Sequence, residues 1–216
     1  MISRIFLLLL ILFNPTLNPL FADSKDKTNK QITSEDFSPE RFVDSARAYL
    51  NRNKHPTTYQ WGGRDTKNHP GLDCLGLIFV SIQSLIGIKW THWSVIPSKL
   101  IEQLGGERGI LLLMSHNMPK DLAIQSLKMG DLIFFLSTEK IRDIPLVVKR
   151  VNKTETEYRV IHTAIYTGDG KIIHASPFDD NICVVEEDLF EFIERNQLDG
   201  YIAIEPCINT KGMKRE

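Results

Sequence analysis

Cys74 lies in the run Gly71-Leu72-Asp73-Cys74-Leu75-Gly76-Leu77-Ile78-Phe79, a polar turn that leads a cysteine into the first turn of an apolar helix. Unpaired N–H groups and the positive dipole end at such a start favour the thiolate over a thiol whose free pKa is about 8.5. A thiolate attacks amide and ester carbonyls, and it needs a base that takes its proton and later returns one to the leaving group. Taken alone, the position also fits an inert core cysteine, so its partners decide.

Six histidines are available as that base. His55, His69, His92 and His116 fall in polar or irregular segments and read as surface or loop residues. His162 and His174 flank Gly168-Asp169-Gly170, a turn signal, and the midpoint of 162 and 174 is 168. A hairpin closed there brings both rings together across the ladder, so one histidine can face the sulfur while the other fixes its tautomer and direction. Asp169, between two glycines, reads as a turn residue and a weaker orienting group. Upstream, Tyr59-Gln60-Trp61-Gly62-Gly63 sets aromatics beside two glycines, the composition of a loop that turns tightly next to a groove; Trp61 also fits simple packing.

The elements that must position these residues follow from periodicity. Ser38-Pro39-Glu40 is an N-cap followed by proline at the first helical position, and Phe42, Val43, Ala46, Tyr49 and Leu50 recur at helical spacing. The cysteine-bearing helix spans Leu72 to Ile86, apolar on nearly all sides, and Gly87 stops it. Ser98 to Leu104 reads as a short helix, and Leu111 to Met114 as strand or buried coil. Strand character follows over Leu132–Leu136, Pro145–Val151, Tyr158–Tyr166, Lys171–His174 and Tyr201–Glu205, with a short helix over Leu189–Arg195. Helices first and strands afterwards predict an α+β domain with its helices on one face of an antiparallel sheet.

The chain has 216 residues, enough for one well-buried domain. With 26 Lys and Arg against 27 Asp and Glu, its net charge of −1 gives nucleic acid no electrostatic footing. Arg4, the apolar run Ile5–Phe13 and Leu20-Phe21-Ala22 read as a signal peptide over residues 1–22, the apolar run being far shorter than the about 20 residues of a membrane span. Residues 23–38 read as a disordered tether, 39–207 as the domain and 208–216 as a polar tail. Export to the periplasm or medium, with no stable membrane span after signal removal, is the expectation. In an oxidising compartment Cys183 and Cys207 can pair or sit as separate buried thiols. No Cys/His spacing matches a structural zinc site, so neither a metal nor a cofactor is expected.

Four motifs in order, Tyr59-Gln60-Trp61-Gly62-Gly63, Gly71 to Leu77, Gly130-Asp131-Leu132-Ile133-Phe134-Phe135, and His162-Thr163-Ala164-Ile165-Tyr166 with Ile173-His174-Ala175, resemble those of the NlpC-type cell-wall cysteine peptidases. The resemblance covers about residues 40 to 205. It implies a papain-like α+β fold and hydrolysis of amide bonds in peptidoglycan stem peptides, commonly after D-glutamyl residues. It further implies Cys74 as nucleophile, His162 as base, His174 as its orienting residue and Tyr59 beside the active site, and Asp73 matches as well; with Tyr59 and Asp73, Trp61 of the loop beside the groove is a candidate substrate-binding residue. A departure is Leu75, where the family usually has serine, which bears on recognition of polar stem-peptide groups. Segments 89–128 and 137–160 are longer than a minimal member needs. With no wall-binding module after residue 205, targeting falls to the domain itself or to a protein partner. Two other readings compete: a non-catalytic binder of wall peptides or of a partner protein, and a thiol acyltransferase or amidase on another substrate.

Overall fold

The structure is a computed structural model that describes residues 37–50, 58–105, 110–114, 119–138, 146–151, 154–177 and 183–208. The signal segment, nearly all of the tether, His55, His116 and nearly all of the tail lie outside the described residues.

Helix α1 (Pro39–Arg47) starts at Ser38, with proline in its first turn, and buries Phe42, Val43 and Ala46. Helix α2 (Cys74–Ile86) packs against it and ends on Gly87 in the left-handed conformation, φ 69°. It begins two residues later than its apolar pattern suggests, because Leu72 bridges to Tyr59 and Arg64 instead. A 3-10 turn at Trp90–His92 leads to α3 (Pro97–Gly105). Then come strand β1 (Ile110–Met114) and helix α4 (Lys120–Ser126), the latter without a counterpart in the sequence reading.

Strands β2 (Leu132–Ser137), β3 (Leu146–Val151), β4 (Thr154–Gly168), β5 (Lys171–Ala175), β6 (Val184–Asp188) and β7 (Gly200–Ile204) complete the sheet. Helix α5 (Leu189–Arg195) sits between β6 and β7. The strand order is β1-β7-β2-β4-β5-β6 with β3 added onto β4, and every pairing is antiparallel.

Strand alternation sorts the apolar residues into two cores. Leu132, Phe134, Leu136, Ile165, Ile173, Ile202 and Ile204 meet α1, α2 and α3 on one face. Ile133, Phe135, Ala164, Tyr166, Ile172 and Ala203 meet Ala123 of α4, Leu127 just after it, and Leu189, Phe192 and Ile193 of α5, on the other. The N-terminal helices cover one face as expected; the second face is covered too, since β2 and β7 are apolar at consecutive positions and need burial on both sides.

Candidate active site

Asp73 starts the site. Its Oδ1 accepts from the Gly76 N–H at 2.6 Å, capping α2, and its Oδ2 accepts from the Gly62 N–H at 2.8 Å. Arg64 donates to the same Oδ1 at 2.6 Å and to the Gly63 carbonyl at 2.5 Å. The Tyr59–Arg64 loop is thereby tied to the helix that carries Cys74. Close backbone approach completes the tie: a Cβ on Gly76 would stand 2.2 Å from the Gly63 oxygen. Asp73 was expected at the substrate, yet both its oxygens are engaged by the protein, which makes it a scaffold residue.

Cys74 opens α2 on the wall of a cavity of about 430 Å³ that it shares with His162. Burial pushes the thiol pKa up and the neighbouring Asp73 charge adds to this, against weaker help from Thr163 and the Leu75 N–H. The helix start therefore does not give the free thiolate expected from sequence. Tyr59 is half-buried near Cys74, and burial followed by the Cys74 charge raises its phenol well above the ordinary value. Trp61 stands exposed at the cavity mouth.

His162 and His174 come together, though by a different register from the one expected. Ile165 pairs with Ile173, which sets Ala164 across from His174, so His162 is its diagonal neighbour on the same face. A bulge between β2 and β4 also intervenes: Phe135 pairs with His162 but Leu136 pairs with Val160, leaving Ile161 unmatched. Bulges re-aim side chains. This one lies beyond His162, which keeps the regular alternation of β4 with Ala164 and Tyr166 and so stands on the α5 face against Phe135 and Phe192, while Thr163 faces Cys74. No hydrogen bond joins Cys74 to His162, although both line the same cavity.

The contacts beyond His162 fix its protonation pattern. His162 Nε2 lies 2.9 Å from His174 Nδ1, and His174 Nε2 lies 2.8 Å from Glu187 Oε1. Glu187 is held in turn by Arg195 at 2.7 Å. Burial works against the Glu187 charge, but the hydrogen bonds from His174 and Arg195 outweigh it and keep the carboxyl below its usual range. A carboxylate only accepts, so neutral His174 carries its proton on Nε2 and offers Nδ1 as acceptor. His162 must then carry its proton on Nε2, and its Nδ1 keeps a lone pair. Sequence reading missed Glu187 and Arg195; the missing signal was strand β6, in whose register His174 pairs with Val185 and Glu187 falls on the same face two residues on.

Burial, then the neighbouring His174 charge, lowers the His162 pKa well below 6.5. Because the unfolded chain takes up that proton more readily, the stability held by neutral His162 is complete above 6.5 and declines as pH falls below it. Cys74 acts in the other direction: its contribution is complete below 9.0 and declines as pH rises toward the folded value. Thermal unfolding midpoints should form a plateau between these limits, with His162→Ala flattening the acid limb only. An acid limb unchanged in that variant would contradict the assignment.

His69, read as a loop residue, is exposed but lines the cavity and meets the Trp90 ring edge-on, with centroids 5.1 Å apart. Cys183 and Cys207 are free; Cys183 is buried against the Leu72 carbonyl and its thiol is pushed up to about 11 by burial. No helix among the described residues is long and apolar enough to cross a membrane.

Comparison with known proteins places these features in a family. No curated protein matches the chain. Among solved structures it is similar to the NlpC/p60 domain of the peptidoglycan hydrolase SagA, with 21% identity over 78% of this chain and 99% of that one, TM-score 0.42. It is also similar to a Staphylococcus aureus protein of the NLP/P60 family described as similar to lipoprotein, with 21% identity over 85% of this chain and 45% of that one, TM-score 0.44. A third is RipD from Mycobacterium tuberculosis, a non-catalytic NlpC/p60 domain protein adapted to peptidoglycan binding, with 14% identity over 77% of this chain and 95% of that one, TM-score 0.44. The model of the NlpC/P60 family matches residues 56–191, well over half of the sequence, and the chain belongs to that family.

Proposed function

We propose that this chain is an exported cysteine hydrolase of amide bonds in peptidoglycan stem peptides. The observation that carries the reading is the line His162–His174–Glu187, which leaves His162 with a free Nδ1 lone pair in the cavity that also holds Cys74. Family membership and the leader-like N-terminus support the wall and export parts of it.

With thiol and imidazole both neutral at rest, the reaction starts by proton transfer rather than from a standing ion pair. His162 Nδ1 takes the Cys74 proton as Sγ bonds to the substrate carbonyl carbon. The Cys74 N–H, free of an intrahelical partner at the helix start, stabilises the oxyanion. As the C–N bond breaks, His162 returns the proton to the departing amine. Water, deprotonated by His162, then splits the thioester, releasing the acid and restoring the thiol.

A second reading, a non-catalytic binder of wall peptides, is favoured by the missing Cys74–His162 hydrogen bond and the raised thiol pKa. Incubating the full chain with defined stem peptides and identifying fragments by mass spectrometry separates the two. Paired amine and acid fragments support hydrolysis; saturable binding with no fragments establishes the second reading.

A further inference from the structure

Thr163 is 1% exposed, and its hydroxyl is buried without a hydrogen bond. It is the one such hydroxyl among the described residues that lines the cavity holding Cys74. An unmet buried hydroxyl lowers stability, which valine, equally branched and equally suited to a strand, would not do. Kept beside a reactive atom, such a group points to a use in another state of the site.

That state is set by the sulfur. A neutral thiol is a weak hydrogen-bond acceptor, whereas a thiolate is a charged and strong one. The titratable groups round Cys74 do not favour the charged form: Asp73 opposes it, Arg64 is bound to Asp73, His162 is neutral at rest and the Tyr59 phenol stays protonated. His69, also in the lining, is exposed and meets the Trp90 ring. Help for the thiolate comes from Thr163, through its hydroxyl and its backbone, and from the Leu75 N–H.

Resting on the hydrolase reading above, we propose that Thr163 is the positioning residue of the nucleophile: its hydroxyl donates to Sγ as the thiol proton passes to His162 Nδ1, and so holds the thiolate for attack. Thr163 keeps its own proton throughout, and the transfer remains between Sγ and Nδ1. Because the hydrogen bond forms in the reacting state and is not made at rest, it lowers the barrier rather than the ground state. Two consecutive residues of β4 thus bring the base and the hydroxyl to one cavity.

The test is the pH dependence of iodoacetamide labelling at Cys74 in the full chain, read by peptide mass mapping so that the free Cys183 and Cys207 do not contribute. Thr163→Val should raise the labelling midpoint by about one pH unit. Its kcat on stem peptides should fall about threefold to tenfold with KM little changed, the lower figure reflecting the greater nucleophilicity of a more basic thiolate. Thr163→Ala should shift the midpoint the same way, and Thr163→Ser, which keeps the hydroxyl, should restore most of it. The thermal unfolding midpoint of Thr163→Val should equal or exceed that of the unsubstituted chain, since only an unmet hydroxyl is lost. An unshifted labelling midpoint in both Thr163→Val and Thr163→Ala overturns the inference and, where the unsubstituted chain cleaves stem peptides, spares the hydrolase reading. A shift that Thr163→Ser does not reverse also overturns it, tracing the effect to packing. A midpoint that shifts as expected in a chain that leaves stem peptides intact overturns the hydrolase reading alone.

Discussion

Cys74→Ala will reduce fragment release from stem peptides by at least about 10³-fold, leaving only what binding and oxyanion contacts supply. The fold should survive, because the side chain faces a cavity and the helix start is held by Asp73 rather than by the sulfur. A variant of the relay tests the same chemistry from its far end. Glu187→Gln keeps the size but brings an amide that can donate to His174 Nε2. That would move the His174 proton to Nδ1 and the His162 proton onto the nitrogen meant to act as base. We expect kcat to fall by roughly 10–10²-fold with KM little changed, by analogy with the tautomer penalty of serine hydrolase triads. Glu187→Asp, which keeps a pure acceptor, should recover part of the loss. Steady-state kinetics with circular dichroism as the folding control reads both variants; full activity in Cys74→Ala would refute the nucleophile outright.

Asp73→Ala will produce the largest loss of stability of any single change near the site. It removes the helix cap, leaves the Gly62 and Gly76 N–H groups unmet and strands a buried Arg64 charge. Removing one member of a buried ion pair costs about 3–5 kcal/mol, which for a domain of this size is roughly 6–20 °C in unfolding midpoint. Asp73→Asn should recover only part, since its amide would point a donor at one of the N–H groups the carboxylate accepts. Pairing Asp73→Ala with Arg64→Met removes the stranded charge and should regain stability relative to Asp73→Ala alone. Urea unfolding provides the measurement; a loss under about 1 kcal/mol in Asp73→Ala would show that the loop and helix are not locked by this carboxylate.

Local chemistry made the body and end of the cysteine helix legible through the apolar run and Gly87, while its start was read two residues early because Asp73, taken as a substrate residue, is the cap. The hairpin was equally readable, since Gly168-Asp169-Gly170 places both histidines on one face. Two features left no mark. A bulge adds one residue to a strand without altering composition, so the unmatched Ile161 next to His162 could not be seen. Strand β6 reads Val-Val-Glu-Glu-Asp, which lacks alternation because Glu186 and Glu187 answer Arg47 and Arg195, partners far away or on the next helix. Hiding that strand hid Glu187, and with it the origin of the His162 tautomer.

Helix α2 is enclosed by α1, the sheet and the turn at Trp90–His92. A segment so placed does not fray by itself, and the amide protons beyond its first turn exchange with solvent only when the main core opens. The sulfur therefore keeps its aim up to the melting transition, and heat inactivation of the protein will coincide with global unfolding instead of preceding it.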